Sequence, residues 1–188
     1  MSFILKTSEP FTKDEVTKLI AENSKILDEH LELIGKSIGT RTEKWCDLVG
    51  IGNDKQLVII EVEERYTDRM LSSIFCKLDS VWDNMTTIAQ LYPAHEIDRN
   101  SFPRGIIIAP SFSKSFIRSL TYLTHRIRID LFTYKSLDSE KGRGLLVEPV
   151  ETKGNHGKSM KADKRGIKLS SPGTSSQLTT EEIMEFLH

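Results

Sequence analysis

Three carboxylates carry the chemistry this sequence offers. Asp47 interrupts the apolar run Trp45-Cys46-Asp47-Leu48-Val49-Gly50-Ile51, and Glu61 interrupts Leu57-Val58-Ile59-Ile60-Glu61-Val62. An ionised carboxylate in a buried strand is costly unless it is paired or holds a cation. Glu63 follows Glu61 by two residues, so an extended chain points both to one face. If Asp47 joins them, three negative charges converge and their repulsion raises at least one pKa. A divalent cation relieves that repulsion. Mg²⁺ (or Mn²⁺) is the hard ion that carboxylate oxygens and water suit.

Register decides whether Asp47 joins. Gly52-Asn53-Asp54-Lys55 is hairpin-turn chemistry between the two runs. A two-residue loop, Asn53-Asp54, pairs Gly52 with Lys55 and turns Asp47 to the wrong face. A three-residue loop, Asn53 to Lys55, pairs Gly52 with Gln56 and sets Asp47 opposite Glu61. A bulge would have the same effect.

The elements that must position these residues follow from periodicity. Residues 11–34 read as a helix, with Thr12 as N-cap, Asp14 and Glu15 in the first turn, apolar residues from Val16 to Ile34, and a kink near Asn23-Ser24. Extended segments follow at 36–42, 44–51 and 56–63, the last apolar on both faces and so covered on both sides. Residues 68–92 read as one long helix. Arg104–Ala109 is a short buried strand, 113–123 a helix, Arg128–Tyr134 a strand, and Leu145–Val150 an edge strand. Helix, three strands, helix, strand, helix, strand predicts a mixed sheet with helices on both faces.

The chain of 188 residues suffices for one domain with its own core. No apolar run approaches the length of a membrane span, and Phe3-Ile4-Leu5 is too short for a secretory signal. Cys46 and Cys76 both sit in apolar-patterned segments and are expected as buried thiols of a reducing compartment, so the expected location is cytoplasmic. The five histidines show no ligand spacing. From Glu151 to Gln177 the sequence is rich in Gly, Ser and Lys without periodicity, and residues 151–170 hold six basic residues against two acidic ones. It reads as a basic flexible linker. Residues 178–188 read as a short helix with a Thr179–Glu182 capping box, expected to dock on its own domain or on a partner.

The run Asp47-Leu-Val-Gly-Ile, a turn, then Leu57-Val-Ile-Ile-Glu61-Val-Glu63 resembles the central motif of the PD-(D/E)XK nucleases. The element order resembles the same superfamily. The resemblance implies a restriction-endonuclease-like three-layer α/β fold, order αβββαβαβ, over residues 1–150, and Mg²⁺-dependent phosphodiester hydrolysis on DNA. It implies Asp47, Glu61 and the Val62 carbonyl as metal ligands, with an acidic residue of the first helix in support, Glu22 first and Glu29 as fallback. The sequence departs from the family at Glu63, where the motif has Lys. Three readings stay open. Glu63 itself orients water, as in some restriction enzymes. The lysine has moved to the following helix, with Lys77 the candidate. Or the site is inactive, and the chain is a nuclease-fold nucleic-acid-binding or protein-interaction module. Arg104, Lys114, Arg118, Arg126 and Arg128 are the expected phosphate contacts. Dimers are common for this fold, so a homodimer is a further expectation.

Overall fold

The computed structural model of the chain describes residues 10–39, 46–123, 127–139, 142–152, 165–170 and 174–177. Helix α1 spans Lys13–Glu22 and starts with a complete capping box: Thr12 Oγ1 accepts from the Glu15 N–H, and the Glu15 carboxylate accepts from the Thr12 N–H. Its buried stripe is Val16, Leu19 and Ile20. The helix stops well short of the expected residue 34. Asn23 ends it, with its side-chain amide donating to the Leu19 carbonyl. A 3-10 turn covers Ser24–Ile26, and strand β1 spans Glu32–Lys36, earlier than the 36–42 expected. Ile26, Leu27 and Leu31 nonetheless pack in the same cluster as the α1 stripe. Their spacing encoded burial against one surface, and periodicity alone misreads that as continued helix.

Strands β2 (Leu48–Ile51) and β3 (Leu57–Val62) form the hairpin and are buried throughout. The stretch expected as one helix over 68–92 is two, α2 (Met70–Asp83) and α3 (Met85–Leu91). The break falls at Asn84, whose side chain and backbone N–H both donate to the Ser80 carbonyl. Strand β4 (Arg104–Ala109), helix α4 (Lys114–Leu123) and strands β5 (Ile129–Ser139) and β6 (Gly142–Pro149) follow.

The six strands lie side by side in chain order. β1, β2 and β3 pair antiparallel, β3, β4 and β5 pair parallel, and β5 and β6 pair antiparallel. The parallel links carry the helices, as crossover connections require. Along β3 the side chains alternate between two cores. Leu57 and Ile59 pack in one with α2, α3 and α4, while Val58, Ile60 and Val62 pack in the other with α1. This mixed α/β sheet covered on two faces agrees with the expectation.

Two expectations are corrected. Residues 151–177 are not wholly linker. Strands β7 (Arg165–Ser170) and β8 (Thr174–Gln177) extend the sheet from β6 by antiparallel pairing, with Leu145 opposite Ile167. Composition missed them because backbone ladder bonds to a free strand edge leave little mark on residue type. Cys76 is exposed on α2, whereas Cys46 is buried as expected. The expected helix over 178–188 lies outside the described residues. Among those described, no helix is long and apolar enough to cross a membrane.

Candidate functional site

The hairpin turn fixes the geometry. Gly52 N–H donates to the Gln56 carbonyl, so the loop is the three residues Asn53 to Lys55, with Lys55 at φ 61°. That left-handed third residue suits a three-residue hairpin loop. The register runs Ile51 to Leu57, Gly50 to Val58, Val49 to Ile59 and Leu48 to Ile60, a parity that would set Asp47 opposite Glu61 if the ladder continued unbroken.

At Asp47 the ladder changes. The Asp47 N–H donates to the Ile60 carbonyl at 3.0 Å, although Ile60 is paired with Leu48. Two consecutive residues thus face one, the pattern of a β-bulge. The alternation slips with it, because Cys46 and Val49 share the α2-side core, so the expected pairing of Asp47 directly opposite Glu61 is not made and Asp47 reaches the end of β3 along the ladder instead. The buried Asp47 carboxylate turns along the ladder, and its Oδ2 accepts the Val62 N–H at 2.8 Å. A strand residue's N–H and C=O face the same neighbour, so the Val62 carbonyl is directed to this side too.

Glu61 is only 4 % exposed. Its Oε2 lies 2.6 Å from the Lys77 ammonium, which reaches over from the middle of α2. Its Oε1 is buried without a hydrogen-bond partner among the described residues. Burial pushes the Glu61 carboxyl above its ordinary range, against the lowering effect of Lys77, and the Asp47 charge adds to the rise. The neighbouring Cys46 thiol is pushed up to about 12, chiefly by burial, with the Glu61 and Asp47 charges contributing. It is not a thiolate nucleophile at neutral pH.

Lys13 is the residue that sequence reasoning missed. Its ammonium lies 2.9 Å from Asp47 Oδ2. Partial burial alone would lower its pKa, but the Asp47 hydrogen bond and the charges of Asp47, Glu61 and Glu63 outweigh that and raise it. Its backbone N–H donates to the Glu64 carboxylate at 2.8 Å, pinning the start of α1 against the end of β3. A usable signal was present. A cation in the first turn opposes the helix dipole at a cost of roughly 0.3–1 kcal/mol, and a partner carboxylate is one way to offset it.

The remaining predicted residues are dispersed. Glu63 is half-buried just past β3; its N–H donates to the Ile108 carbonyl and its own carbonyl accepts from the Tyr134 hydroxyl. Burial, with the charges of Glu64 and Glu63, raises the pKa of that tyrosine. Glu22 is a correction. The N-terminus of α1, not its C-terminus, meets the site, and exposed Glu22 lies nine residues further on, roughly 13 Å along the axis. Glu29 is exposed and pairs with His30. Arg104 is a second correction. Its guanidinium is buried between Asp28 and Asp130, 2.6 Å from each, so it is not presented to a phosphate. Arg128 is exposed but pairs with the same Asp130 at that end of the sheet. Lys114 and Arg118 are exposed on α4. The start of α4 meets the β3–α2 loop through Ser113 and Tyr66, so Lys114 stands at the site's end. Arg126 lies outside the described residues. Among the described residues, no three or more His, Cys, Asp or Glu side chains gather as a metal-holding group.

No protein-family model matches the chain, nor does any curated protein. Among solved structures it is similar to a repair endonuclease from Pyrococcus abyssi, with 19 % identity and a TM-score of 0.41 over 65 % of this chain and 47 % of that one. It is similar to EndoMS in complex with double-stranded DNA, at 16 % identity and a TM-score of 0.40, covering 69 % of this chain and 48 % of that one. EndoMS in apo form gives 19 % and 0.37 over 65 % and 46 %. The chain spans about half the length of each of these structures.

Proposed function

We propose that the Asp47–Glu61 site is a metal-dependent phosphodiesterase centre acting on DNA. The observation that carries this reading is the Glu61 carboxylate, buried and ionisable, with one oxygen on Lys77 and the other without a partner among the described residues. A buried carboxylate oxygen of that kind is costly to leave unmatched, and a hard cation is the partner that suits it. Asp47, Glu61 and the Val62 carbonyl are the residues that would hold Mg²⁺ or Mn²⁺. When bound, the ion supplies Lewis-acid charge and a more acidic water.

The protein's own groups do the rest. Lys77, fixed by Glu61, holds a positive charge beside the reacting phosphate and orients water, in place of the lysine that the motif has at Glu63. Glu63, half-exposed at the mouth, adds an acceptor. Lys114 and Arg118 on α4 offer phosphate contacts. The DNA substrate rests on the resemblance of the hairpin to the nuclease motif.

A second reading has its own observation. Lys13 already neutralises Asp47, as Lys77 neutralises Glu61, and a doubly ion-paired cluster suits a noncatalytic module that kept the fold. Nicking of supercoiled DNA with Mg²⁺ or Mn²⁺ decides between them. The proposal expects nicking by the wild type, abolished in Glu61→Gln, together with a Mn²⁺-dependent rise in Tm that the variant lacks. A wild type showing neither nicking nor a Tm rise would leave the scaffold reading in possession.

A further inference from the structure

We propose that Lys13 is a resident counter-ion, occupying the cation's place beside Asp47 until a divalent ion displaces it; this rests on the metal reading above. Three observations converge. The Lys13 ammonium is 2.9 Å from Oδ2 of Asp47, a carboxylate proposed above as a metal ligand, and it lies within the field of Glu61 and Glu63 as well. Two positive ions cannot share that oxygen without strong repulsion. The lysine backbone is anchored, by the Thr12 cap and by Glu64, while its side chain remains about one-third exposed, at 34 %. A four-carbon stem on a fixed root swings to water without moving the helix. Finally, removing Lys13 from Asp47 still leaves Asp47 its bond from the Val62 N–H, so the carboxylate keeps its orientation during the exchange.

The arrangement solves a specific problem. A preformed metal site is unstable when empty, because its carboxylates repel and are buried. A tethered ammonium stabilises the empty state and raises the cation concentration needed to fill it. Lys77 is not equivalent, since it sits on Glu61 and its removal would leave that buried charge without its cation.

Mn²⁺ binding to the full chain, measured by calorimetry, tests this. Lys13→Met keeps the stem and deletes the charge, and is expected to bind Mn²⁺ about tenfold tighter than wild type. Equal or weaker binding by Lys13→Met, with wild type binding normally, overturns the counter-ion role and leaves the metal site standing. No binding by either protein overturns the metal reading and this inference with it. A measurement on the wild type alone guards against a misfolded variant. Acylation of Lys13 by an amine-reactive probe, read by mass spectrometry, should rise severalfold on adding Mn²⁺ while Lys18 and Lys36 stay constant. Unchanged Lys13 labelling in protein that binds Mn²⁺ also overturns the displacement.

Discussion

Two charged clusters sit along the same sheet and are built in opposite senses. Near the start of β4, a buried cation, Arg104, is flanked by two partly exposed carboxylates, Asp28 at 21 % and Asp130 at 12 %. At the end of β3, two buried carboxylates are each attended by a partly exposed lysine, Lys13 at 34 % and Lys77 at 22 %. Val58 pairs with Arg104 and Val62 with Ile108, so four strand steps, roughly 13 Å, separate them. A guanidinium shared by two acids, one of them on another strand, ties elements together and stays put. Buried acids with tethered, solvent-reaching cations are a place where the positive charge can be exchanged. On the proposed reading, the contrast separates a structural clasp from a chemical site by which sign of charge is buried.

The largest effect that sharpens this contrast is Arg104→Met. It takes from Asp28 and Asp130 the buried cation they share, with exposed Arg128 still beside Asp130, and should cost about 3–5 kcal/mol in urea denaturation. A loss below about 1 kcal/mol would erase the distinction between the clusters. The same clasp sets an acid response. Burial alone would raise the Asp28 pKa, but the Arg104 hydrogen bond and the His30 N–H outweigh it and hold the carboxyl below its ordinary value. A depressed folded pKa gives stability that is present above the unfolded value and lost as pH falls through the folded one. Asp28→Asn should therefore flatten the stability profile below about pH 4, and an unchanged acid limb would contradict the pairing.

Next in size is Lys77→Met, which leaves Glu61 buried and ionisable without its ammonium. About 2 kcal/mol should be lost at neutral pH. Adding Glu61→Gln to Lys77→Met should restore most of it in a double-mutant cycle. Additive losses would mean that Lys77 acts through packing of its stem. The smallest expected effect is at the root of Lys13. Thr12→Ala removes the α1 cap and should lower stability by about 1 kcal/mol. Its use is diagnostic, since it frays the first turn that holds Lys13. If Mn²⁺ affinity is identical with and without the cap, the anchoring of that lysine has no bearing on the site.

Much of the architecture was legible because the strands carry β-branched apolar runs that few other states accommodate. β3, at Leu57–Val62, falls inside the expected 56–63, and β4 spans the expected Arg104–Ala109. Asp47 and Glu61 were conspicuous as charges in those runs. The helix ends were not legible, because Asn23 and Asn84 terminate helices through their own amides while the apolar spacing continues past them. Glu22 and Arg104 failed for a related reason. Which end of a helix meets a site, and whether a strand-initial arginine lies under a loop, are decided by contacts with Asp28, Asp47 and Glu64, all distant in sequence or outside the element concerned. Lys13 was missed because its partner is 34 positions away, and only the dipole mismatch hinted at it.

The three-residue bend closed by Gly52 and Gln56 has a consequence for how this chain tolerates change. Asp54 closes the bend by accepting the Gln56 N–H through its side chain, while Lys55→Gly would ease a backbone that L-residues seldom adopt. Length is another matter. Shortening the bend by one position would roll every downstream side chain of the hairpin half a turn, carrying Glu61 out of Lys77's reach and Ile60 into its place. The loop's count of residues is therefore locked more tightly than its spelling.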